Sequence, residues 1–138
     1  MTETIRAATL GETAEILSLW QSAEAVPSAT DDPDGIQRLL EKDPGALLVA
    51  TADGKIVGTV IAAFDGWRGL MYRLAVLPEY RRRGIATDLI AAGEHRLRDV
   101  GARRISAIIM LEHADAVATW ETNDYVEDTR VGRWFKNL

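Results

Sequence analysis

The run Arg81-Arg82-Arg83-Gly84-Ile85-Ala86-Thr87 has the residue types and spacing of a backbone phosphate cradle. It follows the apolar run Leu74 to Leu77 and Pro78. It opens a long stretch, Gly84 to Val100, in which Ile85, Leu89, Ile90, Leu97 and Val100 recur at helical spacing. A helix beginning there presents unpaired N–H groups and a partial positive charge, which together suit a phosphate. Gly84 permits close backbone approach and unusual dihedral angles. Ala86 keeps the surface small, and the three arginines supply local positive charge. A second reading makes the arginines a solvated turn and Gly84 a simple helix start. The apolar strand before the glycine and the long helix after it favour the cradle.

The elements that must position this loop alternate along the chain. Ile5 to Ala8 reads as a short strand. Thr9-Leu10-Gly11-Glu12 reads as a capping box opening a helix with Ile16, Leu19, Trp20 and Ala23 on one side. Asp32-Pro33 starts a second helix with Ile36, Leu39 and Leu40 inward, and Asp43-Pro44-Gly45 ends it. Residues 46–51 and 55–64 form a hairpin around Asp53-Gly54, which suits a type I′ turn. Asp65 to Gly69 is another turn. Leu70 to Leu77 is apolar on both faces apart from Arg73, as a central strand would be. Ile105 to Met110 is a buried strand, Ala114 to Thr122 a helix. Two short strands are expected around Tyr125 and over Val131 to Phe135. The order βααβββαβαββ defines an α+β, or mixed α/β, arrangement around one sheet, expected as a single domain over residues 1–138.

Composition narrows the function. The 138 residues are 47% hydrophobic and 27% charged, ordinary globular proportions. There is no cysteine, which excludes a disulfide framework, a thiolate metal site and a cysteine nucleophile. His95 and His113 are the only histidines, so no metal is expected. With 21 acidic residues against 16 Lys plus Arg, the net charge is −5, the wrong balance for nucleic acid. The first twelve residues have no apolar core of a signal peptide, and the apolar runs are short. A cytoplasmic protein with no membrane partner is expected.

Arg81-Arg82-Arg83-Gly84-Ile85-Ala86 matches the Q/R-x-x-G-x-G/A motif, and Leu74-Ala75-Val76-Leu77-Pro78-Glu79-Tyr80 before it is typical of the same family's fourth strand. On these residues, and on the element order across nearly the whole chain, the sequence resembles the GCN5-related N-acetyltransferase (GNAT) superfamily. Phe64-Asp65-Gly66-Trp67-Arg68-Gly69 and Leu19-Trp20 resemble a small bacterial subgroup of it. The resemblance implies a mostly antiparallel sheet flanked by helices and splayed between its fourth and fifth strands. It implies acetyl-CoA as co-substrate. Backbone N–H groups of Arg82 to Thr87, with the charge of Arg81 to Arg83, would hold the pyrophosphate, and the backbone of Leu74, Ala75 and Val76 would pair with the pantetheine arm.

The implied activity is transfer of acetyl from acetyl-CoA to a primary amine of a small molecule, a peptide or a protein N-terminus, by direct attack. The alternative is an acetyl-CoA-binding module with weak or no catalysis. A homodimer is compatible with either. Acyl transfer needs a deprotonated amine, a polarised carbonyl and a proton for the thiolate. By the resemblance, the Val76 N–H serves the carbonyl. The late helix departs from the family pattern N-x-x-A-x-x-x-Y-E-x-x-G-F. Trp120 stands at the tyrosine position, His113 at the asparagine and Asp124 at the glycine. An indole N–H donates a hydrogen bond but yields no proton near neutral pH. The glutamate some relatives carry on the fifth strand would fall at Ile108. Glu112, at the end of the fifth strand, and His113, at the strand-to-helix junction, are the candidate substitutes, an imidazole being a side-chain type suited to proton transfer. Asp65, Arg68, Tyr72, Trp20 and Trp67 are further candidates, each with a packing role as its alternative.

Overall fold

A computed structural model describes residues 3–138, which divide into two compact units, one ending at Ile108 and the other running from Ile109 to Leu138. The first unit holds strands β1 (Thr4–Ala7), β2 (Leu47–Ala52), β3 (Lys55–Phe64), β4 (Gly69–Val76) and β5 (Ile105–Ala107), with helices α1 (Thr13–Ser22), α2 (Pro33–Lys42) and α3 (Ile85–Asp99). The sheet order is β1-β2-β3-β4-β5. The first three pairings are antiparallel and the β4–β5 pairing is parallel. A parallel pair requires a crossover, and α3 provides it.

The local signals act as expected. Glu12 accepts from the Thr9 N–H at 2.9 Å and opens a single 3-10 turn that leads into α1. Arg6 grips the same carboxylate and is the main reason its pKa is lowered to about 2. Asp32 accepts from the Gly35 N–H at 2.7 Å, with Pro33 in the first turn of α2. Asp53 and Gly54 have φ of 53° and 78°, both positive as a type I′ hairpin demands. Packing then assembles the core. Ile16, Leu19 and Trp20 of α1 and Ile36 and Leu40 of α2 join Leu47, Val49, Ile56 and Ile61 of the sheet. Ile85, Leu89, Ile90, Gly93 and Leu97 are the buried residues of α3. Gly93 lets that helix lie close: a Cβ there would stand 2.9 Å from the Met71 sulfur. Val100, expected inward, caps the helix and is exposed.

The second unit contains α4 (Ala114–Thr122). The strand expected over 105–110 is three residues long, and the two expected around Tyr125 and over 131–135 do not form. Val131, Trp134 and Phe135 are exposed, Trp134 to 93%. β-branched and aromatic residues favour a strand, but a strand exists only when another backbone pairs with it. None of the described residues does so.

Candidate active site

The cradle begins on β4. Opposite Val60 of β3 the register shifts, so that Arg73 and Leu74 together face one residue. This is a β-bulge, and Arg73 takes a left-handed φ of 57° in it. On its other edge β4 pairs with β5 only over Gly69 to Met71; the last bond there is Ile108 N–H to Met71 O, 2.9 Å. Beyond the bulge that edge of β4 has no strand partner among the described residues. Leu77 donates its N–H to Val57 O at 2.9 Å. Successive residues of a strand point their backbone groups to opposite sides. Leu74 and Val76 therefore turn their N–H and C=O groups to the open edge, whereas Ala75 is paired with Thr59.

The chain then turns through Pro78–Tyr80 into the arginine loop. Tyr80 is buried and donates its hydroxyl to Asp53 Oδ2 at 2.7 Å, tying the loop to the hairpin turn. That bond is the main reason the phenol's pKa is raised. Lys55 and Arg83 lie over the same ring, at 5.3 and 5.0 Å. Arg82 and Gly84 adopt left-handed φ values of 64° and 83°. Alternating conformations of this kind fold successive N–H groups into a concave nest for an anion. The first intrahelical bond of α3 runs from Asp88 N–H to Gly84 O at 3.0 Å, so the amides before it project from the helix start. A Cβ built on Gly84 meets nothing within 4 Å. The nest is open on the side where a ligand would lie.

The three arginines divide their work. Arg82 is exposed. Arg83 donates to Glu79 O at 3.2 Å. Arg81 turns back across the open edge: its Nε donates to Val76 O at 3.1 Å and its NH2 to Ala23 O at 3.3 Å. No sequence signal marks this bracing use of Arg81.

Acidic groups approach the same helix start. The Glu3 carboxyl lies against Asp88 in the first turn of α3. Their shared hydrogen bond, then burial, then repulsion raise the Glu3 pKa to about 7. The unfolded chain ionises Glu3 near 4.5, so the folded state loses stability as pH rises from there to about 7. Glu3→Gln removes that loss. Its melting temperature relative to the parent should rise between pH 5 and pH 8, as followed by circular dichroism. A difference independent of pH would mean that the two carboxyls do not interact.

In the second unit, Glu112 is exposed in a turn and His113 is the exposed N-cap of α4, its N–H bonded to Met110 O at 3.0 Å. Trp120 is 2% exposed and stacks edge-to-face on Tyr125 at 4.8 Å. The remaining candidates serve the first unit's packing and turns. Asp65 Oδ1 accepts from the Trp67 and Arg68 N–H groups, both at 2.8 Å, and Arg68 covers the exposed Trp67 ring. Those N–H groups hold the Asp65 pKa low. Tyr72 packs against the core. The Trp20 indole donates to the buried Thr59 Oγ1 at 2.8 Å. Among the described residues no cluster of three or more His, Asp or Glu side chains could hold a metal ion, and no helix is long and apolar enough to cross a membrane.

Residues 13–125 match the model of the acetyltransferase (GNAT) family. An acetyltransferase of Photorhabdus laumondii is 36% identical over 111 residues, 80% of this chain and 78% of that protein. One from Yersinia pestis is 34% identical over 116 residues, 83% and 82% of the two chains. The chain belongs to the GNAT family and is an acetyltransferase. Its fold is the family's. It superposes on the aminoglycoside acetyltransferase AAC(6')-Iy, solved with a CoA bisubstrate analogue, with a TM-score of 0.77 at 23% identity over the whole of both chains. On Ard1 of Thermoplasma volcanium the TM-score is 0.81 at 17% identity, over 91% of this chain and 84% of that one.

Proposed function

We propose that this protein is a cytoplasmic N-acetyltransferase that moves acetyl from acetyl-CoA to a primary amine, with residues 1–138 acting as one catalytic domain. The observation that carries the reading is a β4 edge that no strand among the described residues covers after the bulge, beside an open anion nest at Arg82 to Gly84. The two features suit the two ends of one ligand. The open edge fits an amide-containing arm, which Leu74 and Val76 would bind as an added strand. The nest and the amides of Ile85, Ala86 and Thr87 fit a pyrophosphate. Acetyl-CoA has both parts, and when bound it supplies the activated acetyl thioester.

In this reading the Val76 N–H, aimed outward from the open edge, steadies negative charge on the acetyl oxygen. The amine attacks the acetyl carbon. The C–N bond forms, the C–S bond breaks, the amine gives up a proton and the thiolate takes one. Glu112 and His113, exposed and beside the start of α4, are the groups proposed to carry protons. Trp120, buried against Tyr125 within the second unit, yields no proton near neutral pH. The acceptor is a small-molecule amine or a peptide amine.

The test is thiol release from acetyl-CoA against a panel of primary amines and peptides, with product mass read by mass spectrometry. A product heavier by one acetyl group, formed only with enzyme, is the expected result. Tight CoA binding with no turnover on any amine would leave a CoA-binding module instead.

A further inference from the structure

The only charged side chain of β4 is on the bulge itself. Arg73 sits in a left-handed conformation that is strained for a residue with a side chain. Such strain persists only where the surroundings over-determine it. Here its carbonyl accepts from Thr59 Oγ1 at 2.8 Å, and Thr59 in turn accepts from the Trp20 indole. The strain turns the guanidinium toward the segment between α1 and α2. Arg73 NH2 donates to Val26 O at 3.0 Å and to Ser28 Oγ at 3.3 Å, and it pairs with Asp31 Oδ2 at 2.5 Å. The same guanidinium lies 5.3 Å over the Trp20 ring, within cation–π range. Both members of the ion pair are less than a fifth exposed, so water screens them weakly.

Apart from the arginines, residues 24–30 are held mainly by short-range bonds, Glu24 N–H to Gln21 O, Ala25 N–H to Trp20 O and Ser28 N–H to Asp31 Oδ2, and by Ala25 packed against the core. They form no helix or strand, and Glu24, Val26, Pro27, Ser28, Ala29 and Thr30 are half-exposed or exposed. Arg81 pins the near end of this segment, at Ala23 O, to Val76 O, while Arg73 pins its far end. The segment is thereby moored at two points to the strand whose open edge is the proposed cofactor site.

We propose that Arg73 is a positioning residue that couples cofactor occupancy of the β4 edge to the order of the 24–31 segment. The coupling follows from linkage. A ligand paired with Leu74 and Val76 stabilises the bulge, and the segment is attached to the bulge through the Arg73 side chain. Binding on one side therefore lowers the chance of local opening on the other. This inference rests on the cofactor placement proposed above.

Hydrogen exchange read by mass spectrometry on the whole protein, with and without CoA, tests it. In the parent, CoA should slow exchange in residues 74–77 and 84–87, and also slow residues 24–31 by about tenfold, the scale of one charged hydrogen bond. Arg73→Gly keeps the left-handed bulge at no steric cost but has no side chain to reach the segment. It should retain protection at 74–77 and 84–87 and lose it at 24–31. Asp31→Asn, which breaks the ion pair from the segment's own side and leaves the bulge residue in place, should weaken the same protection and covers the case in which Arg73→Gly does not fold. Arg73→Lys should restore part of it. Equal protection of 24–31 in parent and variants, or none in the parent, overturns the coupling. Absence of protection at 74–77 in the parent overturns the cofactor placement instead.

Discussion

Gly84→Val should reduce CoA affinity by about 100-fold or more, measured by titration calorimetry, with little loss of secondary structure. Two effects act together. Gly84 has a φ of 83°, where a β-branched residue is strained by about 1–2 kcal/mol. The larger effect is steric. Nothing lies within 4 Å of a Cβ at this position, so no neighbouring atom blocks the side chain, and valine projects into the space where the proposed pyrophosphate sits. Losing two charge-assisted bonds to the nest removes about 1.5–3 kcal/mol each. That corresponds to about two to four decades in affinity. Gly84→Ala should lie between the two. Dephosphorylated pantetheine, which never reaches the nest, should bind weakly to all three proteins. CoA affinity equal in the parent and Gly84→Val would remove the pyrophosphate from this loop.

Trp120→Ala should cost about 3–5 kcal/mol of stability, the range for truncating a buried tryptophan. The ring is 2% exposed and meets Tyr125 edge-on, so both the buried area and the aromatic pair are lost. For a chain of this length the melting temperature should fall by about 10 °C or more. Trp120→Tyr keeps most of the aromatic surface and should melt much closer to the parent. It also introduces a phenol at the position where the family pattern has one. If the site uses that position for proton donation, Trp120→Tyr raises turnover on an amine found by the acceptor screen, while CoA affinity stays the same. General-acid help is typically about 10²–10⁴-fold, and a thiolate, already a fair leaving group, needs the low end of that range. A turnover unchanged in folded Trp120→Tyr would confine Trp120 to packing.

Much of this was legible in the chain because it depends on neighbours in sequence. The Asp53-Gly54 turn, the Asp32-Pro33 helix start and the Thr9/Glu12 cap are each decided within four residues, and each forms. Gly84 is of the same kind: a helix start after a strand, with one residue free to take a left-handed φ. Helical periodicity likewise chose the buried face of α3, because its spacing is set by the helix alone.

What the sequence could not decide were the pairings between distant backbones. Tyr125 and Val131 to Phe135 carry β-type residues, yet a strand needs a paired backbone, and none of the described residues pairs with them. The bulge at Arg73 arises from register against β3, fourteen residues away at Thr59. The lone arginine in an otherwise apolar strand was the one trace of it in the sequence. Its partners at Val26, Ser28 and Asp31 lie more than forty residues off. Arg81 likewise read as a phosphate ligand by composition, and only the fold turned its guanidinium to Val76 and Ala23. Local chemistry specified the cradle, whereas tertiary structure decided which strand edge stays open beside it, because an edge is defined by where a neighbouring strand stops.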